Sequence, residues 1–193
     1  MLTKIWAISI LAAFYFFYIA KMLIQAGQSI KTNQAGKGNK PLKVRIIERI
    51  MSLAAILTII AEIISIFAIT PVFPKPVVLL GAVTGIVAVV LFATAVITMK
   101  KSWRVGIPEE KTAIVTNGIY RISRNPAFLG FDLLYLSMAL MFFNIPLLLC
   151  SVWAAVMLHL QILQEEKWLD QMFGEEYRNY SRKVMRYLGR RRQ

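Results

Sequence analysis

The sequence holds several apolar runs of about twenty residues, and no other feature narrows the fold so far. A helix rises about 1.5 Å per residue, so roughly 20 predominantly apolar residues cross the hydrocarbon core of a bilayer. Ile5 to Ala26 is such a run, broken only by Lys21, whose alkyl stem reaches back to the headgroups. Ile46 to Thr70 is the second, ended by Pro71, Pro74 and Pro76, since proline cannot continue a helix. Val77 to Met99 is the third. Phe128 to Phe143 and Leu147 to Leu163 are the last two, and the Asn144-Ile145-Pro146 joint forces them into an antiparallel hairpin. Glu165 to Leu188 reads as a charged, amphipathic tail helix interrupted near Gly174. The expected fold is an all-α integral membrane protein of about five transmembrane helices plus a C-terminal amphipathic helix. Residues 1–99 carry three spans, and residues 100–193 carry a loop, the hairpin and the tail, in one integrated domain. The first run is too long for a removable signal peptide and lacks a small-residue cleavage site, so it reads as an anchor.

The loops test this arrangement independently. The first loop, Gly27 to Lys43, holds Lys31, Lys37, Lys40 and Lys43; the third holds Lys100, Lys101, Arg104 and Lys111. Arg182, Lys183, Arg186 and Arg190 to Arg192 crowd the C-terminus, whereas the second and fourth connections hold only Lys75. Positive charge therefore alternates with each crossing, which predicts a multi-pass chain with its N-terminus outside and its C-terminus in the cytoplasm. The formal charge is +13, but the basic residues flank apolar spans in a chain that is 58% hydrophobic. Anionic lipid headgroups, and not nucleic acid, are the expected partner. A single cysteine, Cys150, and a single histidine, His159, exclude an internal disulfide and a cysteine- or histidine-rich metal site.

The chemistry lies in the second half. Gly118-Ile119-Tyr120-Arg121 is followed by Ser123-Arg124-Asn125-Pro126-Ala127-Phe128-Leu129-Gly130. Beyond the hairpin come His159, Glu165-Glu166, Leu169, Phe173-Gly174-Glu175-Glu176-Tyr177 and Tyr180. Together these blocks resemble the isoprenylcysteine carboxyl methyltransferase family and its bacterial and phospholipid-methylating relatives. There a G-x-Y-R…R-H-P-x-Y-x-G segment precedes E-E-x-x-L-x-x-x-F-G-x-x-Y. Either block alone would be a weak sign; both at this spacing are specific. The resemblance covers the C-terminal half only. Asn125 stands where that family usually has histidine and Phe128 where it has tyrosine, so one titrating group and one hydroxyl are missing.

What the resemblance implies is methyl transfer from S-adenosylmethionine to a lipophilic acceptor, an isoprenylcysteine-like carboxylate or a lipid amine, at the cytoplasmic membrane face. It assigns Glu166 and Arg121 to catalysis, and Tyr120, Arg124, Asn125, Pro126, Phe128, Leu129, His159 and Glu165 to the cofactor, with no metal. The residue types suit that ligand. Arg124 is able to pair bidentately with its carboxylate, and Glu165 or Glu166 to accept from its ammonium or ribose hydroxyls. Tyr120, Phe128 or Trp168 would border the adenine or the sulfonium. An NADPH-dependent membrane sterol or enone reductase shares the first block but not the second. A non-catalytic scaffold leaves both blocks unexplained.

Plainer roles exist for many of these groups. Arg121 and Arg124 sit at a membrane boundary, where basic residues anchor helices. His159 suits a hydrogen-bonded bundle position as well as a ligand contact. Glu62, deep in the second span, is a functional candidate or a partner for Thr84 or Thr94. Asp132 binds substrate or faces Arg124. Gly81 and Gly85 form a small-x-x-x-small pair suited to close helix packing within the chain.

Overall fold

The long helices carry apolar side chains on their outer faces, where those of a water-soluble protein are polar. On α2 (Leu42–Ala68), Met51, Ala54, Thr58, Glu62 and Ser65 form the buried stripe, while Leu53, Ile56, Ile60, Ile63, Ile64 and Phe67 are exposed. α1 (Leu2–Gly27) buries Ala7, Ile10, Leu11 and Phe14, the spacing of one helical face, and exposes Ile8, Phe16, Ile19 and Leu23. Such faces are stable only where hydrocarbon replaces water as the surrounding solvent. The molecule is accordingly an all-α membrane protein.

The computed structural model describes residues 1–108, 110 and 112–191. Lys111 and Arg192, counted above among the loop and tail charges, lie outside the described residues. After α1 and α2 come α3 (Lys75–Met99), α4 (Pro126–Met141), α5 (Ile145–Phe173) and α6 (Glu175–Lys183). α1, α2, α3 and α5 are long and apolar enough to cross a membrane; α4, at 16 residues, is shorter. α4 packs mainly on α3, and α5 on α2.

Small residues set the α3–α4 distance. A Cβ on Gly81 would lie 2.8 Å from Met141 Cγ, and the Ser137 hydroxyl donates to the Gly81 carbonyl at 2.7 Å. Gly81 and Gly85 therefore serve packing within the chain. Aromatic rings fill the centre: Phe14 stacks on Phe92 at 4.4 Å and meets the Phe131 edge at 4.9 Å. Asn144 caps α5 by accepting from the Leu147 amide at 3.0 Å.

Three expectations need correction. α5 does not stop near Leu163 but runs unbroken to Phe173, because charged residues end the hydropathy signal without ending the helix. Glu165 and Glu166 thus lie inside a helix and not at the start of one. The break does fall at Gly174, whose φ of +52° favours glycine, but the helix beyond ends at Lys183 and the chain turns back. Thr84 and Thr94 bond to carbonyls of their own helix and leave Glu62 alone. Both Glu62 oxygens are buried with no partner among the described residues, in surroundings that include the Tyr15 and Tyr135 phenols.

The first loop is a built part of the fold. Buried Glu48 accepts from Lys40 Nζ at 2.8 Å and from the Gly36 and Ile107 amides at 2.7 Å each. Gln25 donates to the Trp103 carbonyl at 3.1 Å and accepts from Thr32 at 2.7 Å. These bonds close one end of the bundle, where the α2 and α4 starts meet the α3 and α5 finishes.

Candidate functional site

A short 3-10 turn, Gly118–Arg121, leads to the start of α4, where Pro126 occupies the first turn and Asn125 the capping position. Proline suits that place because its missing N–H would be unbonded there anyway. The preceding residues are held outside the helix: the Asn125 amide donates to Ser123 Oγ at 3.2 Å, and the Arg124 amide to the Met185 carbonyl at 3.1 Å. This projects Arg124 and Asn125 towards the far end of α5. There Glu166 gathers them. Its Oε1 accepts from Arg124 Nη2 at 3.0 Å and from Asn125 Nδ2 at 3.2 Å. Its Oε2 accepts from Arg186 Nε at 3.0 Å and Nη2 at 2.7 Å. Two guanidinium groups thus converge on one carboxylate, leaving one positive charge in excess. Arg124 Nε is buried without a partner among the described residues, and so are Gln161 Oε1 and the Tyr177 hydroxyl. These spare donors and acceptors suit a ligand that carries a carboxylate and hydrogen-bonding groups.

Other expected residues join from the sides. Glu165 accepts from Gln161 Nε2 at 2.9 Å. Tyr120 is buried, and its carbonyl accepts from the Tyr180 hydroxyl at 2.7 Å, which fastens α6 to the turn. Burial, then the Tyr180 phenol and the Glu165 carboxylate, push the Tyr120 phenol above its ordinary range, so it remains a donor. His159 Nδ1 shares a 2.6 Å hydrogen bond with the Tyr187 hydroxyl, and the two rings stack. Pro126 is buried in the first turn of α4, with Leu129 half-buried one turn on.

Arg121 lies apart. It is exposed and makes no hydrogen bond or ion pair among the described residues, because the turn that buries Tyr120 points the next side chain outward. Trp168 packs edge-on to Phe173 and lines a separate cavity of about 550 Å³ with Lys40, Lys43 and Lys167. Asp132 does not face Arg124, which is committed to Glu166; its Oδ1 is buried without a partner among the described residues. Arg186, Tyr187 and Gln161 are in the cluster although no sequence pattern selects them. Arg186 reads in the sequence as one more basic tail residue.

Phe128 turns the other way. With Ala127 it lines a cavity of about 400 Å³ bounded mainly by α1, α2, α4 and residues 103–106, with one residue each from α3 and α5. The walls include Tyr18, Met51, Phe92, Trp103, Phe131 and Leu158. Ile19 and Ile56 also line it and are exposed on the outside of α1 and α2, so the cavity opens sideways between those helices. Arg104 and Asn33 supply polarity near the closed end of the bundle. The volume lies within the roughly 300–1,000 Å³ usual for ligand sites.

The model of a family described as phospholipid methyltransferase matches residues 76–176, about half of the chain. The chain is also 28% identical over 108 residues to a protein-S-isoprenylcysteine O-methyltransferase of Dictyostelium discoideum. That alignment takes in 54% of this chain and 46% of the relative, so less than half of the relative's length is spanned. The chain belongs to the phospholipid methyltransferase family.

Proposed function

We propose that this member of the phospholipid methyltransferase family transfers a methyl group from S-adenosylmethionine to a lipophilic acceptor held in the bilayer. The observation that carries the reading is the meeting of two environments on five consecutive residues. Arg124 and Asn125 turn into the charged cluster, while Ala127 and Phe128 line the apolar cavity. A polar cosubstrate and a hydrocarbon one are thereby brought side by side.

The donor set fits the cofactor. Arg124, with its unbonded Nε, would hold the carboxylate, and Glu165 with Gln161 would accept from the ammonium or the ribose hydroxyls. Tyr120 would donate from its protonated phenol. When bound, S-adenosylmethionine supplies a methyl group activated by its sulfonium. The protein's own work is to align and to exclude water, which suits an in-line displacement needing no covalent help. Glu166, fixed by two arginines and Asn125, is a positioning group in this scheme. Arg121 has no evident part.

The acceptor is an isoprenylcysteine-like carboxylate or a lipid amine. A carboxylate attacks as it stands, whereas an amine must first lose a proton. Glu165, which no arginine neutralises among the described residues, is the carboxylate to take it. The basic loops favour a cytoplasmic position for this end of the bundle, with the N-terminus outside. Tags at the N-terminus and at Lys75 should be reachable from outside and tags at Lys37 and the C-terminus from the cytoplasm. The decisive experiment is titration of the detergent-solubilised protein with S-adenosylhomocysteine and with NADPH. Saturable binding of the first alone is expected; binding of NADPH alone would replace the methyltransferase reading with a reductase one.

A further inference from the structure

We propose that the C-terminal segment from Val184 to Arg190 is a wall of the cofactor site, with Arg186 as a second cation for the cofactor's carboxylate. The inference rests on the S-adenosylmethionine reading above and deepens it.

The segment is docked and not trailing. After α6 it makes a tight turn, with the Met185 amide on the Gly189 carbonyl at 2.9 Å and a bridge between Val184 and Arg190. Two further backbone bonds lock the turn against the run that precedes α4. The Arg124 amide donates to the Met185 carbonyl at 3.1 Å, and the Gly189 amide to the Ile122 carbonyl at 2.7 Å. Val184 is buried beneath it. The backbone of Arg186 takes part as well, since its carbonyl accepts from Asn125 Nδ2 at 3.2 Å. The turn's hydrogen bonds to the rest of the chain reach Ile122, Arg124, Asn125 and Glu166, and Tyr187 adds His159.

Charge then assigns a role to Arg186. Glu166 alone already balances Arg124. A second guanidinium on the same carboxylate gives Glu166 one cation more than it needs, beside an Arg124–Glu166 pair only 10% and 12% exposed. With the ligand's ammonium left to Glu165, the ligand's carboxylate would give that extra guanidinium a partner. Arg186 is placed to meet it: its side chain is 35% exposed, and Nε and Nη2 are spent on Glu166 while Nη1 bonds to nothing among the described residues. Glu166 acts as the spacer that holds the two arginine forks at a fixed separation.

The test compares two ligands that differ in the group at issue. S-adenosylhomocysteine carries the amino-acid carboxylate; 5′-methylthioadenosine keeps the adenosine and thioether and lacks it. Binding to the full chain in detergent is measured by calorimetry for the parent and for Arg186→Ala, Arg186→Lys and Arg178→Ala. Arg186→Ala should weaken S-adenosylhomocysteine at least about tenfold, as expected for a lost charge-assisted bond, and change 5′-methylthioadenosine less than about twofold. Arg186→Lys, which keeps the charge and preserves the fold if the alanine variant does not, should fall between. Arg178→Ala removes an exposed cation bonded to Asp170 and Glu175 and should change neither. Equal weakening of both ligands by either Arg186 variant would reduce the segment to a structural closure and overturn the proposal, as would no weakening at all. A parent protein that binds neither ligand would instead overturn the S-adenosylmethionine reading on which the proposal stands.

Discussion

Glu48 and Glu62 lie on the same helix, both wholly buried, and their surroundings are opposites. Glu48, near the closed end of the bundle, has a lysine and two backbone amides on its carboxylate. Glu62, four turns further into the membrane, has no partner on either oxygen among the described residues. Glu166 repeats the first pattern with two arginines and an asparagine. Ionic chemistry is thus concentrated at the end where the loops supply cations and amides. Glu62, in the middle of the bundle, has no such network among the described residues. The difference teaches that burial alone does not tell these carboxylates apart; the number of donors facing each does.

The largest effect should come from breaking the best-satisfied pair. Glu48→Ala leaves Lys40 buried without its counter-ion and should cost about 3–5 kcal/mol, read as a lowered melting temperature in detergent. An unchanged melting temperature would show that the first loop is dispensable. The next effect is on binding. Arg124→Ala should weaken S-adenosylhomocysteine at least about tenfold with the fold intact, because Arg186 still neutralises Glu166. Glu62→Met sharpens the contrast. Replacing an unpartnered buried carboxyl by an apolar chain of similar size should leave stability unchanged or raise it by about 1 kcal/mol, and leave cofactor affinity untouched. Loss of cofactor binding in that variant would move the site to mid-membrane. The smallest effect is expected at Asn125, whose amide spans Glu166 and the Arg186 carbonyl. Asn125→His should be nearly silent above a pH of about 6.5, where a free imidazole is mostly neutral and keeps one donor. A new limb in the pH–rate profile of methyl transfer would make the position catalytic.

How far the sequence was legible follows the same division. Apolar run length located the membrane helices, and the Asn144-Ile145-Pro146 joint and Gly174 marked boundaries through local backbone rules. The charged extension of α5 was hidden, since hydropathy ends at Leu163 while helical hydrogen bonding continues to Phe173. The two motif blocks pointed to Arg124, Asn125 and Glu166, which the structure brings together. Arg186 and Tyr187 were invisible for a physical reason. They sit in an irregular turn that no periodicity describes, and their partners lie 20 and 28 residues away on another helix. The cavity was equally hidden, because its lining is drawn from five helices and the loops beside them, whose apolar residues look alike in sequence.

If the cavity holds the acceptor as proposed, its sideways opening between Ile19 and Ile56 changes what concentration means for this protein. A pocket facing water competes with water for its ligand, and an apolar ligand wins easily. A pocket facing hydrocarbon is never dry of chains, because neighbouring acyl tails fill it whenever the acceptor does not. The acceptor must displace a lipid that is the solvent itself, so burial of its hydrocarbon contributes almost nothing to selection. Discrimination has to come from the shape of the aromatic walls and from the polar end near Arg104. The quantity that sets occupancy is then the acceptor's mole fraction in the bilayer. Diluting the membrane with inert phospholipid, at constant protein and acceptor in the sample, would slow the reaction as surely as removing substrate.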